Sequence, residues 1–196
     1  MSGPRAWQRM LSGRRLDLLD PSPLDVELED IAHGLARVAR WNGQTAGEHA
    51  FSVAQHSILV AQIVAVLLGK RQRESQLYAL LHDGPEYVIG DMISPFKAVM
   101  GGAYKDVEAR LEGAINLRLG LAAHPPAALK KTIKKADRIL AYFEATQLAG
   151  FGVAEARDLF GQPNGIVADD LDLAPWPAQR AQQNLLDALA AAEQLT

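Results

Sequence analysis

His82 and Asp83 stand side by side in Leu80-Leu81-His82-Asp83-Gly84-Pro85-Glu86, directly behind an apolar helical run. A neutral imidazole and a carboxylate together suit a borderline-hard divalent cation. Placing them at the end of a hydrophobic helix is costly unless something offsets their desolvation. His56 follows Val53 by three residues and precedes Val60 and Ile63 by four and seven, so its imidazole shares a buried helical stripe. Asp137 repeats the pattern, with Ile133 four residues before it and Leu140 three after. Taken singly, His56 reads equally as a core histidine bonded to a carbonyl, and Asp137 as an ion-pair partner of Lys134 or Arg138. Taken together, His56, His82, Asp83 and Asp137 come from three predicted helices and supply two imidazoles and two carboxylates. That set matches one divalent ion and leaves positions for water and substrate.

His49 competes with His56 for the first ligand position, but the two are seven residues apart, about 10 Å along a helix. Only one can reach a common ion at about 2 Å per bond. His56 lies deeper in the apolar stripe and is preferred, leaving His49 at the helix start or pocket rim. His33 and His124 belong to no such constellation.

The elements that must carry these residues are helical. Apolar periodicity predicts helices over 29–40, 51–68 with Gly69 as the stop, and 73–83 broken at Gly84-Pro85. Further helices are predicted over 104–119, from Pro125 to about Leu148, and over 178–195, the last reached through a looped connection spanning Gly150 to Gly165 and Pro175-Trp176-Pro177. Strand-type alternation is missing, so the expected class is all-α. The expected division is an N-terminal extension over 1–25, a helical core over 26–150, and a loop and helix over 151–196 that pack on the core.

Composition narrows the function. Twenty Lys and Arg against 23 Asp and Glu give a net charge of -3, which offers no broad positive field for duplex DNA or RNA. With no cysteine, thiolate zinc sites and disulfides are excluded. The longest apolar run, Ile63 to Leu68, is far short of the roughly 20 residues a membrane span requires. A soluble cytoplasmic protein with no membrane association is expected.

The ordered set His56, His82-Asp83, Asp137 resembles the H…HD…D signature of the HD superfamily of metal-dependent phosphohydrolases, and more narrowly the branch of the bacterial 5'-deoxynucleotidases. The resemblance runs from about Leu16 to Leu148 and includes Ser52-Val53-Ala54-Gln55-His56-Ser57 and Ala79-Leu80-Leu81-His82-Asp83. Glu86 and Asp91 match an acidic residue and a Gly-Asp that follow the HD pair, ahead of a Pro-x-Lys, here Pro95-Phe96-Lys97. Arg40-Trp41 lies ahead of His56 as an Arg-Trp pair does in the deoxynucleotidases.

The resemblance implies an HD-type helical bundle with a metal site in its core and one divalent ion (Mn2+, Co2+, Fe2+, Ni2+, Mg2+ or Zn2+). It further implies phosphate release from (deoxy)nucleoside 5'-monophosphates, with Arg40, Trp41 and Lys97 binding substrate and Glu86 or Asp91 handling water and protons. It is compatible with a homodimer. A guanidinium clamps phosphate in bidentate fashion and an indole offers a stacking face. Equally, Trp41 can cap the core, Lys97 can be solvated, and Glu86 can be a first-turn helical residue. Alternative functions are a triphosphohydrolase, a phosphodiesterase, or a non-catalytic nucleotide-binding protein of the same fold. Gly84-Pro85 departs from the small helical residues usual after the HD pair and bears on the direction of Glu86.

Overall fold

The computed structural model describes residues 5–92 and 102–196. Its helices are α1 (Leu28–Leu35), α2 (Val53–Leu68), α3 (Arg73–Leu80), α4 (Glu86–Ile89), α5 (Gly102–Arg118), α6 (Ala127–Gln147), α7 (Val153–Phe160) and α8 (Ala178–Glu193). The protein is thus an all-α bundle, as its periodicity requires. A small antiparallel hairpin of β1 (Trp7–Arg9) and β2 (Arg15–Asp17) precedes it. Periodicity missed this hairpin because each strand has three residues, too few to show alternation.

α2 is the central element, packed against α3, α6 and α8. Eleven of its sixteen residues are buried, including Gln55 and His56. Ser52 caps it, accepting the Gln55 N–H at 3.2 Å, and Gly69 ends it in the left-handed conformation at φ 65. The helix therefore begins two residues later than its hydrophobic pattern alone suggests. That leaves the half-buried His49 in a bend ahead of it.

Three further departures matter for the site. α3 stops at Leu80, so His82 and Asp83 sit in the turn that follows and not on the helix predicted over 73–83. Gly84 shapes this turn: its N–H bonds Leu81 O at 2.8 Å, and a Cβ there would lie 2.9 Å from that carbonyl and 3.2 Å from Ile115 Cδ1. The helix predicted over 29–40 ends at Leu35, and Arg40 and Trp41 occupy a separate 3-10 turn over Arg40–Gly43. The connection drawn as a loop from Gly150 to Gly165 contains α7, an amphipathic helix too short and too closely flanked by Gly152 and Gly161 to register as one.

α8 buries Ala181, Leu185, Leu189 and Ala192 and packs on α1, α2 and α3. The segment leading to it is stapled to α2 by Gln55, whose amide donates to Asp172 O at 2.8 Å and Ala174 O at 2.9 Å and accepts from Trp176 N at 3.0 Å. Among the described residues, no helix is long and apolar enough to cross a membrane.

Candidate metal centre

His56 enters from α2, His82 and Asp83 from the turn after α3, and Asp137 from α6. His56 Nε2 lies 3.6 Å from Asp83 Oδ2 and 3.5 Å from Asp137 Oδ1, and His82 Nε2 lies 3.2 Å from Asp83 Oδ2. The two imidazole centroids are 5.3 Å apart. One ligand atom each from His56, His82 and Asp137 falls within 4.8 Å of the others.

The tautomers are set from behind. His82 Nδ1 is 2.8 Å from Ala79 O, which can only accept, so Nδ1 carries the proton and Nε2 carries the lone pair. His56 Nδ1 faces Glu144 Oε1 at 2.5 Å, so Nδ1 carries a proton here too and the neutral, metal-binding form of the ring has its lone pair on Nε2. Both Nε2 atoms are buried without a hydrogen-bond partner among the described residues. Two buried lone pairs aimed at carboxylate oxygens fit a divalent cation, for which bonds of about 2.1 Å place neighbouring ligand atoms about 3.0–3.4 Å apart. The donor set, two nitrogens and carboxylate oxygens with no sulfur, suits Mn, Co, Fe, Ni or Zn.

Asp137 makes the ion pair with Lys134 and also faces the cluster. Its Oδ2 accepts from Lys134 Nζ at 2.7 Å, one turn back along α6, while Oδ1 faces His56. Burial opposes ionisation of Asp83 and Asp137, but the neighbouring imidazoles outweigh it and hold both carboxyls below their ordinary range. Burial and Arg40 oppose a charge on His56, yet Glu144 and Asp137 prevail and push it up to about 9.

The Arg40-Trp41 turn is fixed beside this cluster by the chain just before α2. Arg40 N donates to Phe51 O at 2.8 Å and Val53 N to Val38 O at 3.0 Å. Arg40 is surrounded by carboxylates: Asp91 at 3.2 Å, Glu144 at 3.4 Å and Asp83 at 4.0 Å. Burial works against its charge, but these acids raise its pKa further above the ordinary value. Asp91 reaches Arg40 because Gly90, at φ 76, turns the chain back after α4. The Trp41 indole lies against Phe151 and Phe160, with centroids at 5.4 and 5.9 Å, and its N–H donates to Glu144 Oε2 at 2.8 Å.

Glu86 is buried at the first position of α4. α4 seats closely on α1, where a Cβ on Gly34 would come within 2.8 Å of Tyr87 Cβ. Lys97 lies outside the described residues.

Three features escaped the sequence reading. Glu144 is fully buried and contacts His56, Arg40 and Trp41; its signal was its place two helical turns after Asp137, on the inward face of α6. Burial opposes its charge, but Arg40 and His56 hold its pKa below the ordinary carboxyl value. Phe151 and Phe160 box Trp41, and no short-range pattern announces them. Finally, a cleft of about 730 Å³ opens on His82, Asp83 and Asp137 and is lined by Lys105, Lys130, Lys131 and Lys134.

A model of the YfbR-like 5'-deoxynucleotidase family matches residues 30–159, which include every residue of the cluster. The chain is 56% identical to an uncharacterized protein of Rhodobacter capsulatus over 182 residues, 90% of this chain and 91% of the other. It is 31% identical to the uncharacterized protein YfdR of Escherichia coli over 63% of this chain and 62% of that protein. It is 36% identical to the 4'-phosphooxetanocin A phosphatase of Priestia megaterium over 36% of this chain and 40% of that enzyme. The family and the phosphatase relative support a phosphohydrolase acting on nucleotides.

Proposed function

Because the chain belongs to the YfbR-like 5'-deoxynucleotidase family, we propose that it removes phosphate from (deoxy)nucleoside 5'-monophosphates with the help of one divalent metal ion. The observation that carries this reading is the pair of buried, unpartnered Nε2 atoms of His56 and His82, set against Asp83 and Asp137 on a cleft that four lysines line. When bound by these four residues, the ion supplies Lewis acidity that makes water a better nucleophile and polarises the phosphoryl group.

The protein's own groups do the rest. Lys130, Lys131 and Lys134, with Lys105 across the cleft, draw a phosphate monoester toward the cluster against the opposing Glu108 and Glu112. Arg40 lies on the far side and exchanges part of its contact with Asp91 for a phosphate oxygen, neutralising charge as the P–O bond breaks. Asp91, released from that contact, and the buried Glu86 are the groups assigned to orient water and carry protons. Trp41, held by a tilted Phe151 and an edge-on Phe160, faces the nucleoside. Lys97 keeps its assignment as a further phosphate contact. A cytoplasmic location and a homodimer complete the reading, to be checked by fractionation and light scattering.

Purified protein supplied in turn with Mn2+, Co2+, Fe2+, Ni2+, Mg2+ and Zn2+ and challenged with nucleoside mono-, di- and triphosphates is expected to release inorganic phosphate from deoxynucleoside monophosphates. Tripolyphosphate as the product, or an opened cyclic diester, would move the assignment to a triphosphohydrolase or a phosphodiesterase. Tight nucleotide binding without turnover under every metal would make the protein a nucleotide sensor.

A further inference from the structure

We infer that Glu144 is a positioning residue that joins the metal-binding imidazole to the Arg40-Trp41 turn, fixing the His56 tautomer with one oxygen and the turn with the other. The inference rests on the reading that His56 binds a metal ion. Glu144 is fully buried on α6. Its Oε1 faces His56 Nδ1 at 2.5 Å, while its Oε2 accepts from Trp41 Nε1 at 2.8 Å and from Arg40 Nε and Nη2, both at 3.4 Å.

Every one of these partners is a donor, so the site requires an acceptor on both sides, which only a carboxylate provides. The turn held by Oε2 is under backbone strain. Trp41 at φ 56 and Asn42 at φ 51 are the two non-glycine residues with positive φ among those described. Such conformations persist where surrounding contacts over-determine them, and the Trp41–Glu144 and Arg40–Glu144 bonds are contacts of that kind. One side chain thus orients a nitrogen of the metal cluster and braces the turn that presents Trp41.

Glu144→Gln tests this with almost no change of shape. The amide has one oxygen and one NH2 in place of two acceptors. The indole and the guanidinium together compete for the oxygen against a single imidazole, so the oxygen turns to Trp41 and Arg40 and the NH2 turns to His56. His56 must then accept at Nδ1 and carry its proton on Nε2, the atom needed for the metal. The expected result is a roughly tenfold to hundredfold loss of Mn2+ or Co2+ affinity, the range typical for losing a group that orients a metal-binding histidine. It should be accompanied by an altered Co2+ absorption spectrum and, for the neutral ring, a His56 15N signature switched from the Nδ1–H to the Nε2–H form.

Trp41→Phe removes the indole N–H together with its five-membered ring and leaves Glu144 intact. It is expected to raise KM while leaving metal affinity and the His56 tautomer as in the wild type. Wild-type metal affinity and tautomer in Glu144→Gln would overturn the inference. If that variant does not fold, Glu144→Asp decides: the carboxylate is one methylene too short to span both sides, so metal affinity or KM must change, and wild-type values for both would refute the role. A wild-type protein that takes up no metal would instead sink the functional reading itself, which separates the two failures.

Discussion

The metal cluster has two unlike faces. On the inner face, toward α2 and the Arg40 turn, Glu144 and His56 are fully buried, and Arg40 is held among Asp83, Asp91 and Glu144. On the outer face, Asp137 is braced by a Lys134 whose side chain is 72% exposed, and the cleft beyond carries three more lysines. The inner face is a closed set of donors matched to acceptors, where losing one member leaves another desolvated and unpaired. The outer face is open to solvent, where charge attracts a ligand but contributes little to folding. Positioning and reception are thus divided between the two sides of one cluster.

That division predicts a steep gradient of mutational effects. The largest belongs to Asp137→Ala, which sits on the boundary between the faces. Turnover should fall about a thousandfold or more, since Lewis-acid stabilisation is worth several kcal/mol and each 1.4 kcal/mol or so is a factor of ten. Steady-state assays and metal analysis of the purified variant check this, and a variant that retains both metal and rate would erase the boundary.

Next comes Arg40→Ala on the inner face. Removing one member of a buried ion cluster strands the others, at a cost of about 3–5 kcal/mol, so the urea midpoint should drop well below that of the wild type together with a rise in KM. An unchanged midpoint would show that the inner face is less closed than its geometry implies.

The outer face should respond differently. Lys130→Glu combined with Lys131→Glu is expected to raise KM several-fold, with a stability change within about 0.5 kcal/mol, as for exposed positions generally. The KM effect should shrink as salt screens the cleft. A large loss of stability in this pair would contradict the contrast.

The smallest effect is of pH on the metal-free protein. His56 is pushed up to about 9 from its ordinary 6.5, so the stability it contributes is complete below about 6.5 and is lost as pH rises through 9. Glu144 is lowered from 4.5, so its contribution is complete above that value and is lost as pH falls through its lower folded value. The melting temperature should therefore decline from pH 6.5 to 9 and again in acid. Added metal should offset the alkaline decline, because it binds the deprotonated imidazole. A melting temperature that rises across that alkaline range would contradict the arrangement around His56.

The helices and the metal-type residues were readable because burial imposes a period on a helix: His56 and Asp137 each sit on an apolar stripe that leaves them no direction but inward. His82-Asp83 was readable as chemistry and misplaced as structure. The helix ends at Leu80, and the turn that carries the pair leaves no room for a Cβ at Gly84 beside Leu81 O and Ile115, the latter thirty-one residues away in the chain. Glu144 has the same periodic signal as Asp137 but lacks a motif, and its meaning lies in partners more than eighty residues upstream. The aromatic box around Trp41 exists only once α7 is packed on α6, and the lysine cleft only once α5 and α6 face each other. Local pattern thus reveals which residues point inward, while what they meet there is a property of the assembled bundle.

The central claim is that His56, His82, Asp83 and Asp137 hold one divalent ion on which hydrolysis depends. The most direct measurement strips the protein with EDTA, titrates Mn2+ or Co2+ back, and follows phosphate release from a deoxynucleoside monophosphate alongside metal content. Activity should vanish on stripping and return as one equivalent is bound, with no return in Asp137→Ala. Full activity after stripping, or in that variant, would contradict the account.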